Sequence, residues 1–125
     1  MNIVDSSGWL EYFGGGPNAD LFGAPIEETS TLVVPVLCLF EVFKRIIRDC
    51  TEGDALEAAV AMQQGLVVDL TADLALAAAR LSASENLPLA DSIILATARE
   101  YNATLWTQDS DFEGMAGVRY IAKQT

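Results

Sequence analysis

The residues best suited to chemistry in this sequence are acidic side chains beside apolar segments. Asp5 directly follows a short apolar run, Asp91 opens an apolar helical segment, and Asp109 and Asp111 lie in the stretch LWTQDSDF. Each has an ordinary structural explanation, because Asp is favoured at helix N-caps, in first helical turns and in Asx turns. If their carboxylates converge to about 5 Å, however, the repulsion of each like-charge pair costs about 3 kcal/mol at an effective dielectric constant near 20. Such a cluster must bind cations or take up protons.

The chain contains no histidine and only two cysteines. This excludes Ser-His-Asp and Cys-His catalysis, and every zinc site that needs an imidazole or several thiolates. Carboxylates and hydroxyls remain, and sets of oxygen ligands rich in acids select hard ions such as Mg²⁺ or Mn²⁺. A carboxylate-held pair of such ions about 4 Å apart can activate water and stabilise the leaving oxygen in phosphodiester cleavage.

The pattern of apolar segments predicts the elements that position these acids. Short β-branched runs alternate with helical patterns, which is typical of an α/β fold with a mainly parallel sheet covered by helices. Ligands of open sheets bind at the carboxyl ends of the strands, so Asp5, Asp91 and Asp109 are expected at one edge. The predicted strands are 3–4, 32–34, 66–68, 104–106 and a weaker 118–121, and the predicted helices are 7–13, 18–28, 36–49, 54–64, 72–86 and 90–102.

A further acid, Glu41, lies in the predicted helix 36–49. The large apolar residues of this helix gather on one side at 100° per residue, and Glu41 points roughly opposite. Lys44, Arg45 and Arg48 follow at helical spacing, which predicts a solvated face of ordinary ion pairs with Glu41. These cations also form the basic cluster of the sequence, so a phosphate-bearing ligand near Glu41 would meet them.

Length and charge set further expectations. The 125 residues are expected to form a single domain, 1–125, and the apolar runs are too short to span a bilayer. No basic segment opens the chain, so we expect a cytoplasmic protein without a secretory signal. A formal charge of −11 repels nucleic acid unless bound cations meet the phosphates. The run Gly14–Gly16 follows a helical segment and lacks a lysine, which predicts a helix stop rather than a phosphate loop.

In their order and context, these segments resemble the PIN-domain ribonucleases, specifically the VapC-type toxins of toxin–antitoxin pairs. The resemblance covers the whole chain. Its pieces are Ile3-Val4-Asp5-Ser6-Ser7, Glu41 on the third helix, the segment 89–98 around Asp91, and LWTQDSDF at 105–112. Glu41 is followed by Val42-Phe43 rather than the family's usual Leu and nearby Gly, which bears on substrate choice and antitoxin fit.

The resemblance implies a three-layer α/β/α sandwich with a central parallel sheet of about five strands. It also implies an endoribonuclease that hydrolyses RNA by metal-activated water, with Mg²⁺ or Mn²⁺ as cofactor, a cognate antitoxin as inhibitor and a homodimeric assembly. By position, the acidic quartet is Asp5, Glu41, Asp91 and Asp109, with Asp111 an accessory ligand and Ser6 and Thr107 supporting hydroxyls. Lys44, Arg45 and Arg48, the basic cluster beside Glu41, are expected to contact the substrate.

Two other functions are compatible with parts of the pattern. Aspartyl-phosphate chemistry would use Asp5 as nucleophile, but it requires a second acid two residues later, where this chain has Ser7. A catalytically silent PIN-like binding or regulatory module would keep the fold without the chemistry. Retention of all four acids argues against that alternative.

Overall fold

The computed structural model describes residues 1–124, which contain a five-stranded sheet. All its strands are parallel, in the order β3-β2-β1-β4-β5. The central strand β1 therefore has neighbours from distant parts of the chain, with Ile3 opposite Val33 of β2 and Leu105 of β4. The strands are β1 Asn2–Val4, β2 Leu32–Pro35, β3 Leu66–Val68, β4 Thr104–Thr107 and β5 Val118–Tyr120.

Six α-helices connect the first four strands in pairs. Because crossovers between parallel strands are right-handed, the first four helices cover one face of the sheet and the last two cover the other. The three-layer α/β/α fold expected from the sequence is thus confirmed. The helices are α1 Ser6–Gly14, α2 Ala19–Glu27, α3 Val36–Asp49, α4 Glu52–Met62, α5 Ala72–Glu85 and α6 Leu89–Glu100.

Local signals fix the ends of several helices. Asp5, Thr51 and Thr71 accept hydrogen bonds from backbone N–H groups as N-caps of α1, α4 and α5. Gly15 ends α1 in the left-handed conformation, at φ 65°, and its N–H donates to Tyr12 O. The glycine run is therefore a helix stop, as its sequence predicts.

Buried apolar side chains cover both faces of the sheet. Val4 is fully buried against Phe22 of α2 on the face that α1 and α2 cover, whereas Ile3 and its register partners Val33 and Leu105 are fully buried on the opposite face. Gly8 makes this packing possible, because a Cβ at its position would lie 2.6 Å from Val4 Cγ1 and 2.7 Å from Phe22 Cδ1. The close approach places the first turn of α1 directly against β1, which brings Asp5 and the serines after it to the sheet edge.

The apolar side of α3 is only partly buried. Cys38 and Val42 are buried, whereas Val36, Phe40 and Ile47 are exposed by 39%, 61% and 40%. The buried face is rotated toward the side that carries Glu41, because the helix packs against α1 and α4.

Among residues 1–124, each helix is too short or too polar to cross a membrane.

Candidate active site

Asp5 lies at the carboxyl end of β1 and is almost entirely buried, at 3% exposure. Its Oδ1 accepts hydrogen bonds from Ser7 Oγ and from the Gly8 N–H at 3.2 Å, and its Oδ2 accepts one from Thr107 Oγ1 at 2.8 Å. Asp5 is therefore an N-cap and a site residue at once. Burial raises its pKa to about 6, although these hydrogen bonds oppose the rise; the charge of Asp109 adds to it.

Three further aspartates form a cluster at the same sheet edge. One carboxylate oxygen from each of Asp91, Asp109 and Asp111 lies within 4.8 Å of the others. Asp91 occupies the first turn of α6, and Asp109 follows β4 and caps the short 3-10 turn Ser110–Phe112 by accepting from the Asp111 N–H at 2.9 Å. The carboxyl end of β4 and the first turn of α6, both predicted to carry acids, thus lie close together, and Asp111 belongs to the same cluster.

The burial and mutual repulsion of the carboxylates in this cluster favour the binding of a proton or a cation. The pKa of Asp91 is raised to about 8, first by burial, then by its hydrogen bond to Asp109 and by the charges of Asp109, Asp5 and Asp111. No carboxylate of the cluster takes part in either ion pair found among residues 1–124, both of which involve Asp49. The negative charge is therefore not neutralised by a side-chain cation.

Glu41 lies at the same end of the sheet but outside the group of three aspartates. It is half-buried on α3 and accepts a hydrogen bond from Ser6 Oγ at 2.6 Å. Its charge and that of Asp5 both raise the pKa of the buried Cys38 thiol, after the larger effect of burial. Glu41 therefore faces the protein interior near Asp5 rather than a solvated helix face.

Two hydroxyls connect Asp5 to the segment after β4. Thr107 Oγ1 donates to Asp5 and accepts from the Asp109 N–H at 2.9 Å, and Ser7 Oγ donates to Asp5 and accepts from the Gln108 N–H at 3.1 Å. Thr107 was predicted as a supporting hydroxyl, whereas the part played by Ser7 was missed. Ser6 and Ser7 are adjacent after a predicted cap, and helical geometry turns only one of them toward Asp5.

Replacing the fully buried Thr107 with valine is expected to lower stability by about 1–3 kcal/mol, because the Asp5 carboxylate and the Asp109 N–H each lose a hydrogen-bond partner. Loss of such a supporting hydrogen bond typically weakens metal affinity or activity about 10- to 100-fold. Urea denaturation and metal titration would measure the two effects. Thr107→Ser keeps the hydroxyl and is the matched control; equal behaviour of both variants would contradict a role for the hydroxyl.

The predicted basic face of α3 has a different arrangement from the one expected. Arg45 and Arg48 pair with Asp49 at 2.6 and 3.1 Å, and Lys44 lies 5.7 Å from the centre of the Phe40 ring. None of the three forms an ion pair with Glu41 among residues 1–124, which corrects the expectation of ordinary helical pairs. The reason is that Glu41 turns toward Ser6 and the interior.

The donor chemistry of the cluster fits a hard divalent cation. Asp91, Asp109 and Asp111 offer carboxylate oxygens only, and Asp5 adds a fourth negative charge nearby. Carboxylates of this kind hold Mg²⁺ or Mn²⁺ together with water and phosphate oxygens. The first two aspartates are half-buried and Asp111 is exposed, so the cluster is open to solvent on one side.

Comparisons with known proteins give a consistent result. The family model for the PIN domain matches residues 3–118. None of the curated protein sequences is a significant match. Among solved structures, a toxin–antitoxin complex from Klebsiella pneumoniae is 22% identical, with a TM-score of 0.82, over 97% of this chain and 100% of that one.

Two further solved structures have a similar fold. VapC20 from Mycobacterium tuberculosis, described as a sarcin-ricin loop cleaving toxin, is 18% identical with a TM-score of 0.76, over 93% of this chain and 95% of that one. VapBC2 from Rickettsia felis, solved with a promoter DNA fragment, is 15% identical with a TM-score of 0.76, over 97% of both chains. At these identities the likeness establishes the shared fold.

Proposed function

The chain belongs to the PIN-domain family, and from this membership and its acidic site we propose that it is an Mg²⁺- or Mn²⁺-dependent endoribonuclease. The observation that carries the proposal is the meeting of Asp91, Asp109 and Asp111 within 4.8 Å beside the buried Asp5. Such a group is costly to hold together without a cation. A fold that assembles it from three separate segments therefore points to a metal site with a chemical use.

Each acid has a distinct proposed part in this site. Asp91 and Asp109 would hold the ion, and Asp111 would be an accessory ligand on the exposed side. Asp5 supplies negative charge that is kept in place by Ser7, Thr107 and the Gly8 N–H. A bound divalent cation supplies Lewis acidity that activates water and neutralises the attacked phosphate.

Glu41 completes the proposed quartet from α3, outside the group of three aspartates. Its hydrogen bond from Ser6, the first residue of α1, ties the carboxylate to the helix that Asp5 caps. Glu41 would orient water or a second cation there, next to the ion that the aspartate cluster would hold. Because the whole chain carries a net charge of −11, RNA binding is expected to depend on cations in the site.

We further propose that the protein is the toxin of a toxin–antitoxin pair, is neutralised by a cognate antitoxin protein, and acts as a homodimer in the cytoplasm. Support comes from the folds it resembles, one of them in a toxin–antitoxin complex and another a toxin that cleaves the sarcin-ricin loop. The same likeness favours looped RNA over other RNA as the substrate class.

Incubation of the purified, antitoxin-free protein with structured RNA tests the nuclease. Cleavage is expected with Mg²⁺ or Mn²⁺ and is expected to stop when a chelator is added, because the acids then have no cation to meet the phosphate. Cleavage that persists in chelator, or that survives Asp5→Asn, would overturn the mechanism.

Expression in a bacterial host tests the toxin role separately. Growth arrest is expected on expression alone, and recovery is expected when a small protein encoded beside it is co-expressed. An active nuclease that leaves growth unchanged would remove the toxin role and leave the enzyme.

A further inference from the structure

Beside the aspartate cluster lies a pocket of about 490 Å³ that the proposed metal site does not use. It shares Asp109 and Ser7 with that site and extends toward β5 and the end of the chain. Its other lining residues supply an amide, a hydroxyl, an aromatic ring and an ammonium group: they are Gln108, Ser110, Tyr120, Ala122 and Lys123.

Charge makes Lys123 unusual in this chain. Eighteen acidic residues face seven basic ones, and Lys123 is the cation that lines the pocket beside Asp109. Arg45 and Arg48 are paired with Asp49, and Arg119 lies over the Trp106 ring at 4.5 Å. Lys123 makes no ion pair with the carboxylates of residues 1–124, so its ammonium is available to an anion.

The segment that carries Lys123 is held in place by partly buried hydrogen bonds. Asn18, which is fully buried, donates from Nδ2 to Ala122 O at 3.0 Å and accepts at Oδ1 from Gln124 Nε2 at 3.0 Å. The Ile121 N–H donates to Thr107 O at 2.8 Å. The residues on both sides of Lys123 are thus fixed, so the exposed lysine side chain extends from a defined point of the backbone beside the acidic site.

Asn18 also links this segment to the site itself. Its Nδ2 donates to Gln108 Oε1 at 2.9 Å, and the Gln108 N–H donates to Ser7 Oγ, which in turn donates to Asp5. A single buried amide therefore sets the spacing between the pocket and the carboxylates. A pocket with a fixed distance from a phosphodiester-cleaving centre is suited to the next unit of the same polymer.

We propose that this pocket binds the nucleotide next to the cleaved phosphodiester, with Lys123 contacting its phosphate and the Tyr120 ring contacting its base. The proposal rests on the nuclease function proposed above and deepens it. A lysine ammonium binds phosphate as a point charge, and an aromatic ring accepts any base by stacking. The polar groups of Ser110 and Gln108 can form hydrogen bonds with the sugar or with the edge of the base.

Steady-state cleavage of an RNA oligonucleotide in Mn²⁺ tests the subsite. Lys123→Gln is expected to raise KM about fivefold with a much smaller change in kcat, and to lower the salt dependence of binding by about one phosphate contact. Tyr120→Ala is expected to raise KM about tenfold, whereas Tyr120→Phe, which keeps the ring, stays near wild type. Arg80→Gln removes an exposed cation of α5 and is the charge-matched control.

A binding measurement separates failure of the subsite from failure of the nuclease. Fluorescence anisotropy with labelled pentauridylate, with Ca²⁺ in place of Mn²⁺ and at low salt, requires no cleavage, and the same variants are expected to weaken binding by the same factors. If the protein cleaves no RNA, the nuclease proposal fails while this measurement still decides the subsite. Undetectable binding, or equal affinity of wild type, Lys123→Gln and Tyr120→Ala, would overturn the subsite even if cleavage is normal.

Discussion

Replacing Asp91 with asparagine is expected to lower the rate of RNA cleavage by about a thousandfold or more while raising the stability of the metal-free protein. The rate falls because the variant loses a carboxylate from the group of three that lies within 4.8 Å. Stability rises because burial disfavours the charge of the wild-type side chain, and the nearby Asp109, Asp5 and Asp111 disfavour it further. A neutral amide of the same shape is free of both penalties.

A matched substitution controls for the change of side chain. Asp73 also lies in the first turn of a helix, α5, where it is exposed and belongs to no carboxylate cluster among residues 1–124. Asp73→Asn is expected to keep wild-type activity and to lose at most the small favourable interaction with the helix dipole, about 0.3–1 kcal/mol. Equal activity of Asp91→Asn and Asp73→Asn would remove Asp91 from the site.

The second large effect is a pH-dependent stability that divalent cations reverse. The pKa of Asp5 is raised from 3.8 to about 6 and that of Asp91 from 3.8 to about 8. Between about pH 4 and pH 8 the folded protein therefore binds more protons than the unfolded chain. The free energy of unfolding of the metal-free protein must fall as pH rises through this window, and the buried Asp5 alone accounts for up to about 3 kcal/mol.

Saturating Mg²⁺ is expected to restore the lost stability, and more so at pH 8 than at pH 5, because protons compete with the cation for the same oxygens. A ligand at 100 times its Kd stabilises the folded state by about 2.7 kcal/mol. Urea denaturation at both pH values, with and without Mg²⁺, measures the effect. Metal-free stability that rises from pH 5 to pH 8, or a Mg²⁺ effect of equal size at both, would contradict the assigned cluster.

Asp5, Asp91 and Asp109 could be placed at one sheet edge from the sequence because parallel strands end together. The β-branched runs identified the strands, and the acids followed them or opened the next helix. Their convergence could then be inferred without any coordinates. Asp111 was harder to assign, since an acid two residues further on serves equally well in a turn, and the short 3-10 turn decides its position.

The position of Glu41 could not be predicted from α3 alone. Periodicity identifies the apolar side of a helix but not the neighbours that cover it, and here Phe40 and Ile47 stay exposed while Cys38 is buried. The pairing of Arg45 with Asp49 rather than Glu41 follows from the same rotation.

Contacts between residues far apart in the chain could not be predicted either, because local sequence patterns do not identify them. Asn18 follows the glycine run and begins the predicted helix 18–28, yet it is fully buried and forms hydrogen bonds with Gln108, Ala122 and Gln124. Ser7 likewise differs from Ser6 only by one helical step, which sends one hydroxyl to Asp5 and the other to Glu41. Such choices depend on packing that no local pattern encodes.

Titration of the purified protein with Mn²⁺ tests the central claim, that the aspartate cluster is a divalent metal site. Wild type and Asp73→Asn are expected to show the same saturable binding, and Asp91→Asn is expected to bind at least about tenfold more weakly. Absence of saturable binding by the wild-type protein, or equal affinity of the Asp91→Asn variant, would contradict the account.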